Sequence, residues 1–112
     1  MLIDYQDFRR LWIAALEIDD ADQYIAEEGG SVDCTDVSAA LRLLRLIHRA
    51  ARGTASDLRH IAQLTQRDMA RTYGIPESTI NKWDCGLSAP SAWTHIALAY
   101  AVISDLMSDD GQ

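Results

Sequence analysis

LTQRDMARTYGIPESTINKWDCG, residues 64–86, is the stretch of the sequence that decides the fold. Its apolar residues recur at intervals of three and four on either side of a glycine and a proline, which predicts two helices joined by a very short turn. Gly74 accepts the positive φ that such a turn requires, and Ala70 is small enough for a close approach of the first helix. The residues predicted to face inward across the turn are Met69, Tyr73, Ile75, Ile80 and Trp83.

The second of these helices is predicted to keep one polar side. Pro76 suits its first turn, and the helix is expected to run to about Asp84. Positions 77, 78, 81, 82 and 85 share one helical face, opposite Ile80 and Trp83. This spacing is typical of a helix-turn-helix, whose second helix lies in the major groove of DNA. The sequence therefore predicts a surface for a partner outside the protein.

The N-terminal part of the chain also predicts helices, without strand-like alternation. Asp4 or Asp7 can cap a first helix, and a short acidic helix over about 20–28 is expected to end at Gly29 and Gly30. The apolar residues expected on one face of the first helix are Phe8, Leu11, Trp12, Ala15 and Leu16.

Further helices are predicted over about 37–52, from Thr54 onward, over 66–73 and over about 91–107. Thr54 and Asp57 form a capping-box variant, and Thr65 can cap the helix that follows it. The residues expected to face inward are Leu41, Leu44, Ile47 and Ala51 in the long helix, Leu58, Ile61 and Ala62 after Thr54, and Trp93, Ile96, Ala97, Tyr100 and Ile103 in the last helix. Trp83 and Trp93 are interpreted as core anchors rather than stacking platforms.

Charge is distributed unevenly along the chain, whose formal net charge is −7. Residues 1–36 carry −8 and residues 83–112 carry −4, whereas residues 37–82 carry +5. The net charge argues against a nucleic-acid partner, but the basic middle segment contains most of the predicted helix-turn-helix. A stripe on the polar face of helix 37–52 is formed by Arg42, Arg45, Arg49 and Arg52. It is interpreted as a solvated face or a docking surface for the acidic segment, or alternatively as a phosphate-contacting stripe.

Residues of about 54–104 closely resemble the xenobiotic-response-element type helix-turn-helix family, which includes phage repressors. The positions that carry this resemblance are Leu64-Thr65-Gln66, Ala70, Gly74, Ile80, Trp83-Asp84, Gly86 and Pro90. The resemblance implies an all-α, five-helix repressor-like domain that is usually a homodimer, binds operator DNA and regulates transcription. In this chain an acidic N-terminal helical extension would precede that domain.

The resemblance also implies roles for individual residues. Gln66 would touch phosphate, and the exposed start of the second helix would read bases. The full set of residues implied in DNA binding is Gln66, Arg67, Glu77, Ser78, Thr79, Asn81 and Lys82, with phosphate contacts also assigned to Arg59, Arg71 and Cys85.

Three segments are expected along the chain. Residues 1–53 would form the helical extension, residues 54–107 the DNA-binding domain, and residues 108–112 a frayed tail. Residues 1–36 of this extension are predicted to pack against helix 37–52, to suppress nonspecific DNA binding and to offer a surface to a protein partner. The alternative hypothesis is a protein-interaction or DNA-mimic module that uses its acidic termini. Acidic cover over the 77–82 face would favour this alternative, whereas an uncovered face would favour DNA.

Enzymatic, metal and membrane functions are not expected. Cys34 and Cys85 form no CxxC pattern and are interpreted as reduced thiols, so a zinc site is not indicated. The three histidines, His48, His60 and His95, have no acidic or cysteine partner at ligand spacing. No nucleophile elbow precedes a helix, and no apolar run suggests a membrane span or signal peptide. The sequence thus predicts a cytoplasmic regulator without catalytic residues, metal or cofactor.

Overall fold

The computed structural model of the protein describes residues 3–32 and 36–110, and in these ranges all regular secondary structure is helical, as predicted. The α-helices are α1 (Tyr5–Glu17), α2 (Ala21–Glu28), α3 (Val37–Arg52), α4 (Ala55–Ala62), α5 (Gln66–Tyr73), α6 (Glu77–Asp84) and α7 (Ala92–Asp110), with a 3₁₀ turn at Gly29–Ser31. The last helix thus extends past the predicted end near residue 107, and residues 111–112 lie outside the described ranges.

The helices begin where the sequence places capping residues. The carboxylate of Asp4 accepts a hydrogen bond from the backbone N–H of Asp7 at 2.9 Å, which satisfies one of the free donors at the start of α1. Thr54 and Asp57 form the predicted capping box at the start of α4. The side chain of Thr65 accepts from the backbone N–H of Asp68 at 3.0 Å. Each of these capping predictions is confirmed.

The N-terminal helices form part of the hydrophobic core. Phe8, Leu11 and Ala15 of α1 have no solvent exposure, and they belong to the same buried cluster as Met69 of α5 and Ile80 of α6. α1 packs against α3 and α7, and α2 packs against α3, so the predicted packing of the extension on helix 37–52 is confirmed. Burial of large apolar side chains is the main source of folding free energy, so α1 contributes to the stability of the α5–α6 pair.

Polar contacts fix the first two helices to the rest of the protein. The Tyr24 hydroxyl, on α2, donates to the Leu11 carbonyl of α1 at 2.7 Å. His48 of α3 places Nε2 at 2.8 Å from the Ile18 carbonyl, which follows α1. At the far end of the chain, the Tyr100 hydroxyl donates to the Ile3 carbonyl at 2.7 Å. The ends of α1 are therefore held by α3 and α7.

Three residues predicted to face inward lie on the surface instead. Leu41 is 38% exposed, Leu16 is 51% exposed and Trp93 is 74% exposed, so the interpretation of Trp93 as a core anchor is wrong. On α3, which packs against α1, α2 and α7, the core takes Leu43 with Leu44 instead of Leu41. Leu41 and Leu43 lie on opposite sides of Leu44 around the helix, and the helical period alone does not tell which of the two is buried.

The length and hydropathy of the helices also bear on membrane insertion. Among the helices formed by residues 3–32 and 36–110, none is both long and apolar enough to cross a bilayer.

Candidate nucleic-acid interface

α5 and α6 pack against each other across a connection of three residues. Gly74 adopts the left-handed conformation with φ of 68°, which ends α5 and turns the chain toward α6. The backbone N–H of Ile75 donates to the Ala70 carbonyl at 3.2 Å, and the Pro76 carbonyl accepts from the N–H of Thr79 at 3.0 Å. A glycine at this position avoids the steric cost that a Cβ carries at positive φ, so the turn has the chemistry that the sequence predicts.

The outer side of α6 is polar and open to solvent. Glu77, Ser78, Asn81 and Lys82 are exposed, whereas Ile80 on the opposite side is only 1% exposed. Thr79 is half-buried beside them. The helix thus presents four neighbouring polar side chains while its apolar side is fixed in the core.

The C-terminal end of α6 is held by a cluster of polar side chains around Asp84. The Nε and Nη2 atoms of Arg59, on α4, lie 3.0 Å and 2.8 Å from Oδ2 of Asp84. The same oxygen accepts from Nε2 of Gln66, at the start of α5, at 2.7 Å. Arg59 also donates through Nη1 to the Leu64 carbonyl at 3.0 Å. Three consecutive helices are therefore joined at one carboxylate.

The environment of Asp84 favours its ionised form. Burial opposes ionisation, but hydrogen bonds from Gln66, Ser56 and Arg59, together with the charge of Arg59, outweigh this and hold the pKa of Asp84 below its ordinary value of 3.8. The carboxylate is therefore charged at neutral pH, so its bonds to Arg59 and Gln66 are charge-assisted and strong.

This cluster bears on two of the predicted DNA-binding residues. Gln66 is half-buried and its amide is bound to Asp84, and Arg59 is half-buried with its guanidinium bound within the protein. The geometry assigns both a structural part in fixing α6, and it lends no support to the phosphate contacts predicted for them. Sequence reasoning had no signal for this pairing, because Arg59 and Asp84 are separated by 25 positions.

The remaining predicted residues are on the surface. Arg67 and Arg71 are exposed on α5, and Cys85 is an exposed free thiol that follows α6. The sulfur of Cys85 lies 3.8 Å from Oδ1 of Asn81, so its weak hydrogen bond orients the Asn81 side chain. Two arginines on α5 thus accompany the polar side chains of α6.

Two of the N-terminal acids, Asp19 and Asp22, lie beside α3. Asp19 pairs with Arg52 at 2.6 Å, and Asp22 approaches Arg45 at 3.8 Å, so α2 and the segment before it are drawn to the arginine stripe of α3. Arg52 also donates to the carbonyl of Leu16 at 3.2 Å. The docking interpretation of this stripe is thereby confirmed for Arg52. Since the outer residues of α6 stay exposed, these acids do not cover them.

An apolar groove of about 440 Å³ lies next to the turn between α5 and α6. Ile75, Pro76 and Trp83 line one side, and Trp93 with Ala97 of α7 lines the other. The helical spacing of Trp93 predicts a core position and gives no indication that this side chain borders an open groove.

Acids, cysteines and histidines are the side chains that could hold a metal ion. In residues 3–32 and 36–110, no group of three such side chains is arranged to hold a metal ion. Cys34 lies outside these ranges, so its predicted state as a reduced thiol stays a prediction.

Comparison with known proteins gives no relative from which a function could be transferred. No protein-family model matches the chain, and no curated protein or solved structure shows significant similarity to it. The function is therefore inferred from the residues and geometry of this protein alone.

Proposed function

We propose that the protein is a sequence-specific DNA-binding transcriptional regulator that places α6 in the major groove. The observation that carries this proposal is the exposed face of Glu77, Ser78, Asn81 and Lys82 on a helix whose other side is buried through Ile80. An α-helix fits the major groove, where each base pair presents a distinct pattern of donors and acceptors. Side chains that read this pattern must be exposed and must be held on a rigid helix.

Each residue on this face has a chemistry suited to a base edge or a phosphate. The Asn81 amide can donate and accept with one adenine, and Lys82 can donate to guanine or to a phosphate. Glu77 can accept from the amino group of cytosine, while Ser78 and the half-buried Thr79 offer hydroxyl groups. The exposed Arg67 and Arg71 would add phosphate contacts from α5.

The net charge of −7 is compatible with this function because the charge is segregated. Asp19 and Asp22 lie against arginines of α3, while Arg67, Arg71 and Lys82 are exposed on α5 and α6. DNA would therefore meet these three cations, whose charge exceeds by one that of Asp68 and Glu77, the exposed acids of the same two helices. The negative remainder of the protein would repel phosphate and lower nonspecific affinity.

We infer further that the DNA-bound form is a homodimer. The groove beside the α5–α6 turn is bordered by Trp93, and Leu87 in the segment between α6 and α7 is 76% exposed. Pairing of two copies through these apolar side chains would fix the two α6 helices relative to each other. Helix-turn-helix dimers bind half-sites about one helical turn, roughly 10 base pairs, apart.

The proposal is tested by selecting bound sequences from a library of random duplex DNA at low salt with the full chain. The expected result is an enriched motif with two half-sites, absent from a parallel selection with Lys82→Glu, which reverses an exposed charge on α6. Arg42→Glu, which reverses an exposed charge on α3, is the matched control and should keep the motif. A selection that enriches no motif, or a protein that stays monomeric on enriched duplexes, contradicts the proposal or its dimeric form respectively. The first result would favour a module that binds proteins through its acidic surfaces.

A further inference from the structure

We propose that the outer face of α3 is a docking groove for an acidic amphipathic helix of a partner protein. This surface lies on a different helix from the α6 face and is independent of the proposed DNA binding. It is a groove of about 430 Å³ lined by Ser38, Leu41, Arg42, Arg45, Leu46 and Arg49, and we call it the α3 groove.

The spacing of the α3 groove fits a helix as its occupant. Its residues stand at i, i+3, i+4, i+7, i+8 and i+11, which form one continuous face of a helix. This face spans about 16 Å along the axis, or three turns. A second helix laid along it would meet side chains at the repeat that helix pairs use for packing.

The composition of the groove specifies the chemistry of the partner. Leu41 is 38% exposed and Leu46 is half-buried, so the groove has an apolar floor that exposes large aliphatic side chains to water. Arg42, Arg45 and Arg49 border this floor. A helix with aliphatic residues on one side and Asp or Glu on both flanks would bury its apolar side on the leucines and place its carboxylates beside the guanidinium groups.

A DNA backbone would use this surface less well. Phosphate contacts need only the arginines, and they would leave the exposed Leu41 and half-buried Leu46 without an apolar partner. The apolar floor therefore favours a protein over a nucleic acid.

The contact with Asp22 leaves the Arg45 guanidinium available to a partner. Arg45 approaches Asp22 at 3.8 Å, and both side chains are largely exposed, at 60% and 83%. Such surface pairs contribute little because water and salt screen them. A partner carboxylate can replace Asp22 at little cost. By contrast, Arg52 lies outside the α3 groove and is engaged with Asp19 and two carbonyls of α1.

The test uses two labelled synthetic peptides of about 18 residues with identical leucine positions and helix propensity, one with Glu and one with Lys on the polar side. Fluorescence anisotropy with the full-length protein should show binding of the Glu peptide, weakened by salt, and at least tenfold weaker binding of the Lys peptide. In NMR spectra the Glu peptide should shift signals of Leu41, Arg45 and Arg49.

Variants at exposed positions separate this surface from the rest of the protein. The double variant Arg45→Glu, Arg49→Glu should weaken the Glu peptide by about tenfold or more, and Leu41→Gln should also weaken it. The matched control, Arg67→Glu with Arg71→Glu on α5, should leave peptide affinity unchanged. The α3 variants should keep the helical signal and the DNA motif selected by the wild type, so a failure of DNA binding and a failure of this groove are distinguishable.

Three results would overturn the inference. The first is equal affinity for the Glu and Lys peptides, and the second is unchanged peptide affinity in the α3 variants. The third is that a random DNA duplex shifts the NMR signals of α3 and the Glu peptide does not. This result would identify the arginines as phosphate contacts.

Discussion

Arg59 and Asp84, 25 positions apart in the sequence, form an ion pair that ties α4 to the last turn of α6, with Nη2 of Arg59 at 2.8 Å from Oδ2 of Asp84. Their side chains are only 18% and 12% exposed, so water screens this pair far less than the surface pairs on α3. Since Gln66 donates to the same carboxylate oxygen, the pair also fixes the start of α5. The orientation of the proposed DNA-reading helix therefore depends on residues that need not touch DNA.

Replacing Asp84 with Ala should strongly destabilise the protein. The change leaves the Arg59 charge half-buried without its carboxylate, and the loss of one partner of such a pair costs about 3 kcal/mol. Asp22→Ala is the matched control, because it breaks an exposed pair and should cost less than about 1 kcal/mol. Urea unfolding at neutral pH measures both values. Equal urea midpoints for the two variants would show that the Arg59–Asp84 pair stabilises the protein no more than an exposed pair does.

The same carboxylate should contribute to acid sensitivity. Its pKa is lower in the folded protein than the ordinary 3.8, so the stabilisation is present above pH 3.8 and is lost as the pH falls through the folded-state value. The variant Asp84→Asn should therefore lose less stability than the wild type over this acidic range. A parallel loss in both proteins, measured by urea unfolding at several pH values, would argue against this linkage.

Gly74→Ala should destabilise the protein by roughly 1 kcal/mol through the backbone alone. A Cβ at this position meets no atom within 4 Å, so the cost comes from φ of 68° and not from a clash. Gly74→Asn should cost less, because Asn tolerates the left-handed region better. Gly29→Ala is the control, since Gly29 has helical φ and ψ and also has open space around it. Thermal unfolding should show the largest loss of stability for Gly74→Ala, a smaller loss for Gly74→Asn and the smallest for Gly29→Ala. A Gly74→Ala variant as stable as the wild type would refute the need for a left-handed residue at this turn.

Asn81→Ala and Lys82→Ala should affect DNA binding differently if the proposed function holds. Loss of the Asn81 amide should remove about 1–3 kcal/mol of preference at the single base pair it reads. Loss of the Lys82 charge should weaken all duplexes and reduce the slope of log K against log salt by about 1 if Lys82 contacts phosphate. Gln6→Ala, exposed on α1, should change neither. Titrations of selected and random duplexes across a salt series measure these effects, and equal losses on both duplexes for Asn81→Ala would exclude base reading by this residue.

His95 should make the protein less stable as the pH falls below 6.5. Burial lowers its pKa below the ordinary 6.5, although the charge of Asp57 on α4 acts in the opposite direction. Its Nε2 is buried without a hydrogen-bond partner in the described part of the chain, and the ring packs edge-on to Trp12 at 5.3 Å. Below pH 6.5 the unfolded chain binds a proton at His95 more readily than the folded protein does. The contribution of neutral His95 to the free energy of unfolding is therefore complete above pH 6.5 and declines below it.

The measurement compares urea midpoints of the wild type and His95→Phe between about pH 7.5 and about pH 5.5. The variant keeps an aromatic ring beside Trp12 and should have a flatter profile, by less than about 1.4 kcal/mol per pH unit. Gln6→Ala is the control, because Gln6 is exposed and does not titrate, and it should keep the wild-type slope. An identical slope in His95→Phe would assign the acid sensitivity to other groups.

Local features of this fold were predictable from sequence because their causes are local. The caps at Asp4, Thr54 and Thr65 act over three positions, and Gly74 ends α5 through its own φ. The polar outer side of α6 follows from the helical period, and it is exposed as predicted. The reading of DNA by this side stays a prediction.

Features that depend on distant partners were not predictable in the same way. Whether Leu41 or Leu43 enters the core depends on where the other helices pack on α3, and the 74% exposure of Trp93 likewise depends on how the other helices pack on α7. The family resemblance assigns Arg59 a phosphate contact without reference to any partner inside the protein. Its partner Asp84 lies in another helix, and only the tertiary fold brings the two together.

The hydrogen bond from Tyr100 to Ile3, which joins residues 97 positions apart, has a consequence for synthesis on the ribosome. The Tyr100 ring also packs on Phe8 at a centroid distance of 5.0 Å, so this part of the apolar side of α1 is covered only when α7 is present. Because translation proceeds at about 5–20 residues per second, α7 is synthesised several seconds after α1. During that interval α5 and α6 lack the complete core beneath them. A nascent chain should therefore be a target for chaperones, and it should acquire its proposed DNA-reading surface only once α7 has emerged from the exit tunnel.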